Sequence, residues 1–308
     1  MRRATLRNLV SAMGDSRASK GLALVHERIR ASRVPHARAG ESIVLATWNV
    51  RELGRTPRRE DAIAMIAAIL GRFSLTSLVE LRRDTTDLER ILARLGPRYR
   101  VLYSEPLDDP GGNGERACFL YDTRFVTHTG LVSVVHGERR RVGREYVTPH
   151  WWRPPYMAGF RAGETSFVLA TAHVRWGGPA SGRLAELRAL ATWAEGQACR
   201  AKSPTPLVLA GDMNIPSTAS PLYRALTARG LTVPEALLGA HGTNLAENKR
   251  YDHILHLPAL AARFTERAGV VDFFGDDGRG LFPRGVSREG LTRQISDHLP
   301  LWAELRVG

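Results

Sequence analysis

The stretch LAGDMNIPS (209–217) sets two polar side chains, Asp212 and Asn214, directly behind the apolar run Leu207–Gly211. Short apolar runs bounded by Gly, Pro, Asn and Asp predict β-strands, so this pair falls at a strand end. The arrangement recurs outward along the chain. Asn49 follows Ile43–Trp48, and Glu80 follows Leu75–Val79. His173 closes Phe167–Ala172, Asp252 opens Tyr251–His256, and Asp297-His298 precedes Leu301–Val307. One polar strand end is ordinary, because a chain turns there. Repeated along the chain, with side chains able to bind metal or phosphate or to move protons, it predicts a site on a common rim.

Further strands are predicted at Val101–Ser104, Ala117–Tyr121 and Leu131–Val135, with helices between. Thr56-Pro57 predicts the start of a helix carrying Ile63, Ile66 and Leu70. Thr86 with Glu89 reads as a capping box ahead of Ile91 and Leu95. Ser220-Pro221 opens another helix, stopped by Gly230, and Leu184, Leu187 and Trp193 belong to a fourth. Strands in two clusters with intervening helices predict an α/β fold of four layers, a two-sheet β-sandwich flanked by helices.

Composition narrows the function classes. The 308 residues are 43% hydrophobic and 24% charged, enough to bury a large core and too apolar for a mainly disordered chain. The longest apolar run, Ala62 to Leu70, is too short to span a bilayer. Two cysteines, Cys118 and Cys199, exclude a disulfide-dense scaffold and a metal-type Cys spacing. A formal charge of +13 points to an anionic partner, nucleic acid or a membrane surface. Only Lys20, Lys202 and Lys249 among the basic residues are lysines, an Arg preference that genome composition can also produce.

Residues 1–40 form a basic N-terminal extension ahead of a single domain at 41–308. The extension carries nine basic and two acidic residues, so over half of the positive excess lies there. Leu6, Leu9, Val10 and Met13 fall at helical spacing, Leu22 to Ile29 is a second weakly amphipathic stretch, and Pro35 closes the region. No long apolar segment follows the N-terminal arginines, which points away from a secretory signal and to a cytoplasmic protein. The Arg-rich start also fits an organellar transit peptide, against the preferred reading of a docking helix or frayed tail. Membrane contact is a further role open to it.

The rim residues suit phosphoester hydrolysis. Glu80, Asp297 and the Asn49 amide offer oxygen ligands to a hard divalent cation. Two histidines, each oriented by a carboxylate, suit proton transfer near neutral pH. Neutral amides such as Asn214 can hold phosphate without repelling it.

The segments TWNVRELG (47–54), SLVELRRD (77–84), YSEPL with GER (103–107, 114–116), RPPYMAGF (153–160), ATAHV (170–174), LAGDMNIPS (209–217), TN with RYDHI (243–244, 250–254) and ISDHLPL (295–301) occur in that order. They resemble the successive motifs of the endonuclease/exonuclease/phosphatase superfamily, with closest likeness to pancreatic-type deoxyribonucleases over about 41–308. The resemblance implies the deoxyribonuclease-like form of the sandwich and a divalent-metal-dependent endonuclease on DNA, using Mg²⁺, with Mn²⁺ or Ca²⁺ as alternatives. By similarity Glu80 is the principal metal carboxylate, with Asn49 and Asp297 supporting it. Asp212 and Asn214 would orient nucleophile, phosphate or a second metal. His173 would pair with Glu115 and His298 with Asp252, and which couple activates water stays open. Arg82 matches a minor-groove arginine and Arg153 a phosphate-proximal one.

Departures are visible. Val79 stands where many members have Gln, Met213 replaces an aromatic residue, and Asn113 lies where a DNA-stacking tyrosine is expected. The structural disulfide of the secreted enzymes has no counterpart. Arg139, Arg140, Arg141 and Arg144 read as a solvated hairpin before a phosphate-binding one, and Trp151-Trp152 as core packing at a strand start. Two other functions compete: a phospholipid or inositol-phosphate phosphoesterase of the same fold, and a non-catalytic binding module. No obligate protein partner is implied.

Overall fold

The computed structural model describes residues 20–108, 113–137, 140–147, 151–178, 180–199, 206–239, 242–282 and 286–308. A helix whose described part is 20–31 (α1) leads into β1 (Ser42–Leu53), α2 (Glu60–Leu70), β2 (Leu75–Leu81), α3 (Thr86–Leu95), β3 (Tyr99–Tyr103), β4 (Arg116–Asp122) and β5 (Thr127–Val134). A short hairpin, β6 (Arg140–Val142) and β7 (Glu145–Val147), follows. Then come β8 (Tyr156–Ala162), β9 (Thr165–His173), α4 (Ala180–Cys199), β10 (Leu207–Asp212), α5 (Pro221–Thr227), β11 (Asp252–His256), β12 (Phe264–Val270), α6 (Arg288–Gln294) and β13 (Leu301–Arg306).

The strands form a six-stranded sheet, β12-β13-β1-β2-β4-β3, and a five-stranded sheet, β11-β10-β9-β8-β5. Alternation along β1 divides its side chains between two cores. Ile43 and Leu45 join Phe119, Phe160, Leu169 and Leu209 between the sheets. Val44, Ala46, Trp48 and Val50 join Ile63, Ile66, Leu88 and Ile91 of the helical layer. Leu187, Leu190, Leu222 and Leu226 of α4 and α5 pack with the five-stranded sheet, completing four layers.

Topology brings the polar strand ends together. Within each sheet one neighbouring pair, β1 with β2 and β9 with β10, runs parallel, so those strands end on the same side. β4, β11 and β13 are antiparallel to them and begin on that side. Asp212 is thereby in register with both His173 and Asp252.

Some local expectations are corrected. α2 begins at Glu60, not at Thr56-Pro57, because Arg58 is drawn inward. Its Nη atoms donate to the carbonyls of Val50, Arg51 and Ile295 at 2.6–2.7 Å, and its backbone N–H donates to Asp87 Oδ2 at 2.9 Å. Thr86 is the first helical residue of α3, not its cap: Asp84 Oδ1 accepts the Thr86 N–H at 2.9 Å, and Thr85 Oγ1 donates to Glu89. Ser220 does cap α5, accepting the Leu222 N–H. β12 escapes sequence reading because it is an edge strand, with Glu266 and Arg267 facing solvent.

Val25 and Ile29 of α1 are buried beside α2, and Arg28 donates to the Phe273 and Phe274 carbonyls at 2.7 Å. The helical spacing at Leu6–Met13 lies outside the described residues, as does Arg139. Trp151 packs on the core, whereas Trp152 is 42% exposed with Arg175 stacked over it. Cys118 is free and buried, and burial pushes its thiol up. Among the described residues no helix is long and apolar enough to cross a membrane.

His253 on β11 is fully enclosed, and burial together with Arg250 pushes its pKa down from 6.5 to about 4. The unfolded chain therefore binds the extra proton between these values, so the penalty is absent above pH 6.5 and grows as pH falls to 4. It reaches about 3 kcal/mol at most. Urea melts between pH 7 and pH 4 should show this decline, and His253→Phe should flatten it. Parallel declines in both proteins would contradict it.

Candidate active site

Each polar strand end reaches the rim through a specific backbone device. The β1–β2 register shifts between Asn49 and Leu53, and Arg51, Glu52 and Glu80 all take positive φ (40°, 53° and 64°). Three non-glycine residues in this sparsely populated region at one spot store strain, as functional sites commonly do. The glycine of GDMN has an equally local cause. Gly211 sits at φ +139°, where a Cβ would lie 2.1 Å from the Ala172 carbonyl oxygen of β9. Only glycine lets β10 approach β9 closely enough to align Asp212 with His173.

At the centre is the Asn49 amide. Its Nδ2 donates to Glu80 Oε1 at 2.8 Å and to Asp212 Oδ2 at 3.1 Å, joining the two sheets across the rim. Its Oδ1 accepts the Arg51 N–H at 2.9 Å. Asn49 thus positions carboxylates with its nitrogen, while its oxygen is already engaged. Glu80 Oε2 accepts the Glu52 N–H at 3.0 Å.

Two imidazole–carboxylate couples flank this bridge. His173 Nδ1 bonds Glu115 Oε2 at 2.8 Å, and His298 Nδ1 bonds Asp252 Oδ2 at 2.7 Å. Both Nε2 atoms then lie 3.8 Å from the same oxygen, Asp212 Oδ2. Burial alone would lower both imidazoles, but the facing carboxylates outweigh it. Asp252 and Asp212 push His298 up to about 10, and the Glu115 hydrogen bond with the Asp212 charge raises His173. Asp212 is itself raised, by burial and then by neighbouring Asp252. Burial would raise Glu115 too, yet its His173 bond and the His173, Arg153 and Arg82 charges hold it below the usual carboxylate range.

The remaining expected residues divide. Asn214 (φ +49°) gives its Nδ2 to the Val174 carbonyl at 2.7 Å and its backbone N–H to Asp212 Oδ1 at 2.9 Å, so it orients Asp212. Arg153 faces Glu115 side-on, with Nη2 2.9 Å from Oε1 and Nε 2.9 Å from Oε2. Its Nη1 has no hydrogen-bond partner among the described residues. Arg82 pairs with Glu52 at 2.6 Å, donates to the Asn113 carbonyl, and lies 3.9 Å from Glu115. Asp297 stands apart, half exposed, 3.6 Å from Arg51 and in no hydrogen bond with Glu80 or Asn49.

Sequence reasoning missed Glu52, which serves Glu80 and Arg82, and two hydroxyls. Ser296 donates to the Asn49 carbonyl at 2.6 Å and accepts the His298 N–H at 3.0 Å, while Thr243 accepts the Asp252 N–H at 3.1 Å. Both lie inside quoted motifs, ISDHLPL and TN, which was the available signal. Met213 and Val79 are buried.

The donor set fits a hard divalent cation. Glu80, Asp212 and Asp252 converge with more carboxylate oxygens than donors, and buried Asp252 Oδ1 has no partner. Asp212, Asp252 and His298 offer ligand atoms within 4.8 Å of one another. His298 Nδ1 is nonetheless bound to Asp252, and the Glu80 side chain is 19% exposed.

The sequence profile described as Endonuclease/Exonuclease/phosphatase family matches residues 46–298. No curated protein sequence matches the chain. Among solved structures, a Bacteroides thetaiotaomicron mannosyl-6-phosphatase is 19% identical with a TM-score of 0.56, the match covering 85% of this chain and 99% of that one. The human Nocturnin catalytic domain with bound sulfate is 16% identical with a TM-score of 0.57, covering 87% and 94%. Truncated Caenorhabditis elegans TDP2 is 14% identical with a TM-score of 0.58, covering 87% and 98%. At these identities the likeness is one of fold.

The Glu115–Arg153 pair is open to test by stability alone. Arg153→Met leaves a buried carboxylate short of a cation and should cost about 3 kcal/mol in denaturant melts. Adding Glu115→Gln should recover part of the loss. An unchanged melt for Arg153→Met would show that the pair does not hold the site.

Proposed function

The chain belongs to the endonuclease/exonuclease/phosphatase family, and on that footing we propose that it is a divalent-metal-dependent phosphodiesterase, an endonuclease acting on DNA. The observation that carries the reading is the convergence of two imidazole–carboxylate couples on Asp212, beside Glu80. A phosphodiester hydrolysis needs a water to lose a proton and a leaving oxygen to gain one, and two imidazoles divide those tasks. The Nε2 atoms of His298 and His173 both lie 3.8 Å from Asp212 Oδ2, so both can act at one place. One imidazole delivers its proton to the leaving oxygen while its counterpart, in the neutral form, takes one from water. Asp252 and Glu115 fix the ring orientations and stabilise the charged forms.

Glu80, oriented by the Asn49 bridge, would hold the cation, which would polarise the phosphoryl oxygen and offset charge in the transition state. Arg82, anchored on the Asn113 carbonyl, offers a cationic contact to the phosphate, while Arg153 is turned to Glu115. Gly54, Arg55, Arg82, Arg83, Asp84, Asn113 and Gly114 line an open cleft of about 650 Å³ close to Glu80. Its three arginines and its openness suit a polyanionic strand better than a small phosphomonoester. A lipid substrate would call for apolar loops at the rim. The exposed aromatic residues beside the rim are instead isolated: Trp152 carries the Arg175 guanidinium over its ring, and Trp176 stands alone on Tyr251.

Purified protein should nick supercoiled plasmid DNA with Mg²⁺ or Mn²⁺ and stop on EDTA addition. Glu80→Ala and His298→Ala should each reduce the rate by about 10²-fold or more while leaving the melt cooperative. Metal-dependent turnover of sphingomyelin or a phosphoinositide with no nicking would overturn the nuclease reading. Wild-type rates in either variant would overturn the site assignment.

A further inference from the structure

Beyond His173 the chain leaves β9 through Val174-Arg175-Trp176-Gly177-Gly178, and the proposed chemistry uses none of the exposed side chains there. Trp176 is 66% exposed, the most exposed tryptophan among the described residues. A lone exposed aromatic residue is ordinary on a protein surface. This one is fixed in place beside the site. Its indole meets the Tyr251 ring edge-to-face, with centroids 5.4 Å apart and planes at 82°. The Tyr251 ring lies in turn 5.9 Å from the His298 imidazole. Three rings thus run from the proton-transfer histidine out to solvent.

The loop keeps the indole free for something else. Gly177 and Gly178 take φ values of +75° and +67°, a reversal that side-chain-bearing residues rarely adopt. The reversal lays the Arg175 guanidinium close to Gly178 and over Trp152, 4.8 Å from that ring, and not over Trp176. An edge-to-face neighbour covers one side of the contact only, so an indole face stays open. Arg183 of α4 adjoins the start of this loop through Asn214, whose Nδ2 donates to the Val174 carbonyl. Its Nη1 reaches the Asn214 carbonyl at 3.4 Å, and its buried Nε has no hydrogen-bond partner.

We propose that Trp176, braced by Tyr251, is a stacking platform for an unpaired nucleobase, with Arg183 contacting the adjoining phosphate. This rests on the nuclease reading and deepens it by naming the form of nucleic acid. A base inside a duplex has both faces stacked, so the platform accepts one in a single-stranded stretch, a gap or a frayed end. Trp176 is a positioning residue: it holds the nucleotide whose phosphate lies before His298 and transfers no proton.

The test is cleavage of a single-stranded oligonucleotide by the wild type, Trp176→Ala and Trp176→Phe. A parallel set of substrates carries one abasic residue beside the cleaved bond. Trp176→Ala should raise KM about 10-fold or more with kcat nearly unchanged, and Trp176→Phe should restore most of the loss. The abasic substrate should be cleaved alike by wild type and Trp176→Ala. An unchanged KM in Trp176→Ala overturns the platform while the nuclease reading stands. So does an equal loss on normal and abasic substrates, or a wild type that prefers duplex. A wild type that cleaves neither single-stranded nor duplex oligonucleotides overturns the nuclease reading, and the platform with it.

Discussion

One amide group holds the site together. Asn49 Nδ2 donates to Glu80 of the six-stranded sheet and to Asp212 of the five-stranded sheet, so one nitrogen ties the two rims, with the His173–Glu115 and His298–Asp252 bonds crossing on either side of it. Other contacts exist to make that bridge possible. Ser77 Oγ donates to Thr171 Oγ1 at 2.5 Å, fixing the two sheets against each other in the interior. Ser296 secures the Asn49 carbonyl and the His298 N–H together, and the Trp48 indole N–H donates to the His298 carbonyl at 2.8 Å. Because side chains in a packed core have little room to shift, the catalytic groups inherit the rigidity of both sheets.

The electrostatics follow from that geometry. Carboxylates brought this close cannot all ionise without positive neighbours, and the site supplies two kinds. Arg153 and Arg82 neutralise Glu115 from one side and hold it charged, which raises His173. Asp252 and Asp212 raise His298, and burial together with the Asp252 charge raises Asp212 in turn. The result is a cluster of carboxylates offset by two imidazoles and two arginines. The chain's positive charge is largely elsewhere, with nine basic residues in the first 40. The acidic site is screened by a few chosen arginines, each tied to a specific carboxylate or carbonyl.

Two surface features flank this rigid centre. On one side Arg55, Arg82 and Arg83 border an open cleft. On the other, the loop after β9 presents Trp176 against Tyr251. Loops on a fixed scaffold can vary their recognition groups without disturbing the proton-transfer pairs, which explains how one fold serves different phosphoesters.

The sequence by itself determined the layered α/β architecture and which residues stand at the strand ends. Both follow from period-two burial and from the polar residues that must terminate an apolar strand, as at Glu80, His173 and Asp212. Edge strand β12 was illegible because one exposed face erases that period. The start of α2 was illegible because Arg58 answers to carbonyls of Val50 and Ile295, groups that meet it only in space. Tertiary structure alone decided that Asn49 uses its nitrogen, that Asp297 turns to Arg51, and that Trp176 rests on Tyr251. Those outcomes depend on distances of a few ångströms between residues far apart in the chain, and local pattern carries no information about which partner arrives first within hydrogen-bonding or stacking range.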